Sequence, residues 1–205
     1  MTVKFIQYCD VLSEHREEFG DFLSKNYIPG INDTGLLKIL GSWYAVSGEG
    51  PFHILEGVAD SMAQVHALLE QEEFIKLNRL MHFVSTNYRT KILVPTGRVE
   101  SLLPEHTNFR FNHHYDVITD RYDTYEAFME NEYIPALEGL GIKMIGSWYV
   151  AIGPGPNIVT EGSCTDPKRI LEAIGSETYR RLTAKLLPMV NGFGSKILMP
   201  SGLLP

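Results

Sequence analysis

Residues Ile39–Pro51 read ILGSWYAVSGEGP, and Met144–Pro156 read MIGSWYVAIGPGP. The shared Gly-Ser-Trp-Tyr is part of a longer match, because identities extend outward from it at a nearly constant offset. Asp10, Tyr27, Ile28, Pro29 and Lys38 return as Asp116, Tyr133, Ile134, Pro135 and Lys143. Gly48, Gly50, Pro51, Glu56 and Gly57 return as Gly153, Gly155, Pro156, Glu161 and Gly162, and KILVPTG from Lys91 is answered by KILMPSG from Lys196. Self-similarity at a fixed period marks a duplicated unit. The chain divides into a first repeat over 1–97, a connector over 98–107 that contains Pro104 and matches neither copy, and a second repeat over 108–205.

The periodicity within one copy orders its elements. Val3–Asp10 alternates as a strand, and Ser13–Tyr27 places Phe19, Phe22, Leu23 and Tyr27 at helical spacing, with Pro29 expected to stop the helix. Leu37–Val46 and His53–Ala59 form the arms of a hairpin around SGEGP. Asp60 or Ser61 then caps a helix carrying Met62, Val65, Leu69, Phe74, Leu77 and Met81 on one stripe, and Arg89–Val94 closes the copy as a last strand. Each copy therefore reads β-α-β-β-α-β, the ferredoxin-like order. Such a unit puts both helices on one face of its sheet and leaves the other bare, so two tandem copies are expected to cover each other. The fold class is α+β: two ferredoxin-like repeats packed sheet to sheet as one barrel with an internal space.

The motif succession in each copy is a helix ending near YIP, then G-S-W, a Gly-rich hairpin turn, a second helix and a closing K-I-L-x-P. It resembles the NIPSNAP-like family of the dimeric α/β-barrel superfamily, with the usual two-chain dimer fused in one chain. The third strand departs from that pattern, with HILEG and IVTEG where the family often has a His-Leu-Trp-like stretch. The wider superfamily includes cofactor-free monooxygenases, isomerases, decarboxylases and haem-using enzymes. What the resemblance implies is thus a barrel around a small molecule, not one reaction.

Composition narrows the partners. The net charge of −7 comes without a basic run or stripe, which argues against nucleic acid and anionic membrane. No segment reaches the roughly 18 apolar residues of a membrane span, and the N-terminus enters a strand without a signal-like stretch. Cys9 and Cys164 are too few for a disulfide framework and too far apart for a metal motif, so a cytoplasmic setting is expected. No Walker loop, Rossmann glycine pattern or HExxH motif is present, and the Gly-rich turns lie in hairpins. The sequence demands no cofactor or metal, and leaves self-association through the outer surfaces open.

Strand parity sorts the candidate site residues. On the first strands, Val3, Phe5, Gln7, Cys9 and Phe109, Phe111, His113, Tyr115 are expected to meet the helices. Lys4, Ile6, Tyr8, Asp10 and Arg110, Asn112, His114, Asp116 are expected to look into the barrel. The same rule puts Ile39, Gly41, Trp43 and Ala45 on one face of the GSWY strand and Ser42 and Tyr44 on the other. Trp43 and Trp148 then read as core that borders the ligand, and Tyr44 and Tyr149, with Ser42 and Ser147, as pocket side chains. Inward-facing lysines, drawn from Lys38, Lys91, Lys143 and Lys196, need carboxylates, which Glu56 and Glu161 are placed to supply opposite either the Trp or the Tyr of the motif. The copies differ at Gln7-Tyr8 against His113-His114. His114 is expected to be the general base, oriented by Asp116, with Tyr149 and Lys143 polarising a substrate oxygen and Tyr8, Asn112, Tyr44, Trp43, Trp148, Glu56 and Glu161 around the ligand. His15, His53, His66, His82 and His106 are read mostly as surface. The leading function is a barrel that binds a small apolar or aromatic molecule for cofactor-independent oxygenase or isomerase chemistry. The alternatives are a haem or metal enzyme using His113, His114 or another His, and a non-catalytic binding or interaction module.

Overall fold

A computed structural model describes residues 2–100 and 108–203. Most of the connector, including Pro104 and His106, lies outside the described residues. The first copy supplies β1 (Val3–Val11), α1 (Arg16–Phe22), α2 (Ile28–Asp33), β2 (Lys38–Ser47), β3 (His53–Ala59), α3 (Met62–Glu70), α4 (Glu72–Val84) and β4 (Ser85–Pro95). The second supplies β5 (Phe109–Val117), α5 (Tyr122–Phe128), α6 (Ile134–Gly139), β6 (Lys143–Ile152), β7 (Ile158–Cys164), α7 (Pro167–Gly175), α8 (Glu177–Leu186) and β8 (Val190–Pro200).

All strand pairs are antiparallel, and the strands close into a barrel in the order β1-β3-β2-β8-β5-β7-β6-β4. Each copy keeps the ferredoxin-like order, and the copies join edge to edge through β2–β8 and β4–β6. Closure leaves no exposed sheet edge among the described residues, and it turns the bare faces of both sheets into one interior. The helices cover the outside. Val3, Phe5 and Cys9 pack under the helices of the first copy, and Phe111 and Tyr115 under those of the second, as parity predicts. A third cluster, Ile6, Trp43, Ile54, Leu93, Trp148, Val159 and Leu198, fills the barrel.

Local backbone geometry corrects expectations for the helices and for the GSWY strand. Pro29 and Pro135 do not stop their helices, because a π-helical turn, Leu23–Tyr27 or Met129–Tyr133, precedes each one and the helix resumes through the proline. The widened turn accommodates the missing N–H and the ring that an α-helical repeat would reject. The stripe from Met62 to Met81 is two helices, broken at Gln71, with Ser61 capping the first through a 3.2 Å bond from the Gln64 N–H.

The second correction concerns the GSWY strand. The β2–β3 register slips between Ile39 and Gly41, and the β6–β7 register slips between Met144 and Gly146. An extra residue reverses parity for everything after it. Ile39 therefore faces the helices while Trp43 and Trp148 point into the barrel. Tyr44, Tyr149, Ser42 and Ser147 lie on the outer, helix-facing side, opposite to the expectation. The glycine of the motif has a steric cause as well: a Cβ on Gly41 or Gly146 would overlap the indole of Trp43 or Trp148, which folds back over it. The following turns, with cis Gly50–Pro51 and Gly155–Pro156, reach across the barrel joins. Gly48 (φ 99°) lies against the Ser195 carbonyl of β8 and Gly153 (φ 123°) against the Thr90 carbonyl of β4.

Candidate functional site

The middle of the barrel is occupied by a buried ionic group. Lys4, on the inner face of β1, bonds Glu56 of β3 at 3.3 Å and Glu161 of β7. Glu161 also accepts from the Trp148 indole N–H at 2.8 Å, and the Lys4 ammonium lies 4.8 Å from the Trp148 ring centroid. Arg110, the repeat equivalent of Lys4, lies 4.7 Å from the Trp43 ring centroid. All four charged side chains are essentially inaccessible, at 1–2% exposure. Burial raises the Glu56 pKa, with Lys4 opposing and Glu161 adding to the rise. Glu56 and Glu161 stand opposite Gly41 and Gly146, not the Trp or Tyr of the motif, and their partner is Lys4. Parity places Lys4 and Arg110 inward, but it does not say which lysine meets Glu56 and Glu161; the shared basic character of Lys4 and Arg110 at matching positions is the signal in the sequence.

Above it, one mouth of the barrel opens as a cavity of roughly 170 Å³. Its walls are Tyr8, Arg89, Lys91, Asn112, His114 and Lys196, its apolar floor is Ile54, Val159 and Leu198, and both hairpin turns overhang it. The Lys91 ammonium donates to the Gly155 carbonyl and that of Lys196 to the Pro51 carbonyl, each at 3.2 Å. The lysine of each closing strand thus ties down the turn of the other copy, which gives the repeated K-I-L-x-P and G-x-G-P a common structural use. Tyr8 lies between them, its ring centroid 5.9 Å from Lys91 and 5.7 Å from Lys196.

Burial, and after it a crowd of cations, sets the electrostatics here. Burial, then Lys196 and Arg89, lower the Lys91 pKa to about 8, against a small opposing pull from Asp116. Burial lowers Lys196 too, while Asp10 and Glu49 act to raise it. His114 is lowered by burial, then by Lys196 and Lys91, so its imidazole is neutral at neutral pH. The ring lies over Gly194, where a Cβ would collide with it. The position matching Gly194 in the first copy is Arg89, and the one matching His114 is Tyr8, so the copies differ at the mouth.

The expected site residues separate into several places. Tyr8, Asn112 and His114 meet in the mouth, while Trp43, Trp148, Glu56 and Glu161 lie in the ionic core below. Asp116 shares the face of His114, but a strand irregularity falls between them and its Oδ1 accepts from the Asn157 N–H at 2.7 Å. Asp10 accepts from the Phe52 N–H at 2.8 Å in the same way, so the repeated Asp is a hairpin clamp and does not hold the imidazole. Lys143 lies at the exposed start of β6, away from His114. Tyr149, on the outer face, bonds Tyr122 and takes a 3.0 Å bond from Arg98, whose Nε donates to Glu126 at 2.6 Å. Arg98 fills that outer position in the second copy. Its counterpart in the first is an open groove of about 590 Å³ beside Arg16, Tyr44, Phe52 and His53.

The histidines are also redistributed. His53 is buried, with its Nε2 2.9 Å from the Ser42 Oγ, and burial lowers its pKa to about 3. His113 is buried between the hydroxyls of Tyr179, 3.0 Å from Nε2, and Tyr133, 3.4 Å from Nδ1. With both ring nitrogens engaged, it has no lone pair to offer an iron. The mouth falls short of the 300–1,000 Å³ of drug-sized pockets, let alone a macrocycle, so these residues do not fit a haem. Among the described residues no three His, Cys, Asp or Glu side chains come together as a metal site, and no helix is long and apolar enough to cross a membrane.

No family model and no curated protein sequence matches the chain. Solved structures share its fold. A protein from Lactobacillus acidophilus provisionally described as a monooxygenase superposes with a TM-score of 0.67 at 13% identity, covering 97% of this chain and 93% of its own. An anthrone oxidase-like protein gives 0.61 at 11%, over 97% and 90%. Chlorite dismutase from Candidatus Nitrospira defluvii, in complex with imidazole, gives 0.64 at 11%, over 98% and 92%. These are dimeric α/β-barrel folds of enzymes or enzyme-like proteins, and at such identities they establish the architecture alone.

Proposed function

We propose that the barrel mouth binds a small conjugated molecule bearing an acidic oxygen, and that His114 moves a proton on it. The observation that carries this reading is an imidazole beside two lysines over an apolar floor, in a cavity of roughly 170 Å³, where burial and both lysines lower its pKa. About 150 Å³ is enough for benzene, so a single ring fits and a polycyclic ligand does not. Lys91, Lys196 and Arg89 outnumber Glu49 at the rim and favour a carboxylate, phenolate or enolate. An imidazole that stays unprotonated accepts a proton from carbon or oxygen, and neighbouring ammonium groups stabilise the anion left behind. Proton abstraction of this kind begins an isomerisation and also a cofactor-independent oxygenation. Assignment to a NIPSNAP-like branch, on the YIP, GSW and K-I-L-x-P motifs, is compatible with this reading.

Phenylpyruvate, one ring with a carboxylate and an acidic methylene, is a suitable probe. Exchange of its methylene protons in D2O, followed by proton NMR, is expected to be faster with the protein than in buffer, and to fall by about 10²-fold or more in His114→Ala. Equal exchange in wild type and His114→Ala, or no acceleration over buffer, would overturn the reading.

A further inference from the structure

We infer that Lys91 is an imine-forming amine for a small aldehyde or ketone that carries a carboxylate, with Lys196 holding the carboxylate. The inference rests on the mouth being the ligand site proposed above, and adds a covalent step to it. Lys91 and Lys196 are repeat equivalents with the same hydrogen bond to a turn carbonyl, yet their surroundings differ. Lys91 is buried at 8% exposure beside two cations, Lys196 and Arg89, which oppose its charge, while Asp116 supports it. Lys196 has Asp10 and Glu49 to keep it charged, against Arg89. Lys91, the more buried of the two, thus holds a fraction of free amine at neutral pH, while Lys196, lowered by burial as well, keeps two carboxylates near its charge. A desolvated lysine beside another cation is the arrangement that activates an amine as a nucleophile.

The chemistry balances without an oxidant or reductant. The free Lys91 amine forms a C–N bond to the carbonyl carbon, and the carbonyl electron pair moves to oxygen, which takes a proton. The carbinolamine then loses water as the nitrogen lone pair forms C=N. The neutral His114 imidazole, in the same mouth, is placed to carry the proton from nitrogen to the departing oxygen.

The test uses 4-formylbenzoate, one ring with an aldehyde and a carboxylate, trapped by cyanoborohydride at neutral pH and mapped by peptide mass spectrometry. Its isostere 4-methylbenzoate, which has no carbonyl, is titrated in parallel by NMR. The expected result is reduced adduct at Lys91 at least about tenfold above exposed lysines such as Lys25 and Lys76, since each unit of pKa lowering gives ten times more free amine. Lys91→Arg should lose that adduct, and 4-methylbenzoate should compete with it. Adduct spread over the exposed lysines, or concentrated at Lys196, overturns the inference. If 4-methylbenzoate still shifts resonances at the mouth in that case, the binding site stands and only the imine fails. If it shifts none, the site itself is wrong.

Discussion

His113 holds in the second copy the place that Gln7 holds in the first, and both bond the tyrosine of the YIP motif, Tyr133 or Tyr27. The imidazole differs from the amide in what it does with pH. Burial holds both His53 and His113 at about 3, against about 6.5 in an unfolded chain. Above pH 6.5 neither state takes the proton and stability is unaffected. Below it the unfolded chain binds protons the folded one refuses, so stability falls by about 1.4 kcal/mol per pH unit per ring until pH approaches 3. His113→Gln, which copies the first repeat, is expected to remove one ring's share of that slope in urea titrations between pH 6 and 4. An unchanged slope would mean the imidazole is not excluded from protonation.

Lys4 gives a second prediction on the same scale. It is the direct cation for two buried carboxylates, and removing one partner of such a group leaves charge uncompensated. Lys4→Met should cost about 3–5 kcal/mol in denaturant unfolding, and Lys4→Met with Glu161→Gln should cost less than Lys4→Met alone. Additive losses in the double variant would place Lys4 and Glu161 outside one network.

Among the elements, β2 and β6 show where a sequence can be read and where it fails. The hairpin arms, the Ser61 cap and the element order follow from alternation, turn chemistry and helical spacing. The inward face of the GSWY strand did not, because a bulge that leaves no mark on the hydrophobic pattern reverses parity at Gly41. The glycine was the available clue: a strand glycine two residues before a tryptophan leaves room for a ring to fold over it. Gly41→Ala should therefore cost about 1–3 kcal/mol through overpacking against Trp43. Gly139→Ala, which meets no atom within 4 Å at the end of α6, should be neutral or stabilising. A Gly41→Ala protein as stable as Gly139→Ala would contradict the seating of Trp43. The helices misread at Pro29 and Pro135 have a similar origin, since a π-turn is a backbone solution that residue spacing does not announce.

On the scale of the whole molecule, the duplicated pattern was enough for the tandem ferredoxin-like barrel, because two bare sheet faces have few ways to be buried in one chain. It was not enough for the site, whose members come from strands of both copies and meet only after closure. Repeated residues turned out to hold the barrel together: Asp10 and Asp116 clamp hairpins, Lys91 and Lys196 tie each copy to the other's turn, and Trp43, Trp148, Glu56 and Glu161 surround the ionic core. Two unrepeated pairs, Tyr8 with His114 and Arg89 with Gly194, meet at one mouth, where His114 lies over Gly194. The proposed chemistry is assigned to that mouth for this reason. The most direct test is a crystal structure of the protein grown with 4-methylbenzoate. The account predicts its carboxylate on Lys196, its ring over Ile54, Val159 and Leu198 with the methyl toward Lys91, and the His114 imidazole facing it. Density confined to the outer groove beside Arg16 and Tyr44, with none in the mouth, would contradict it.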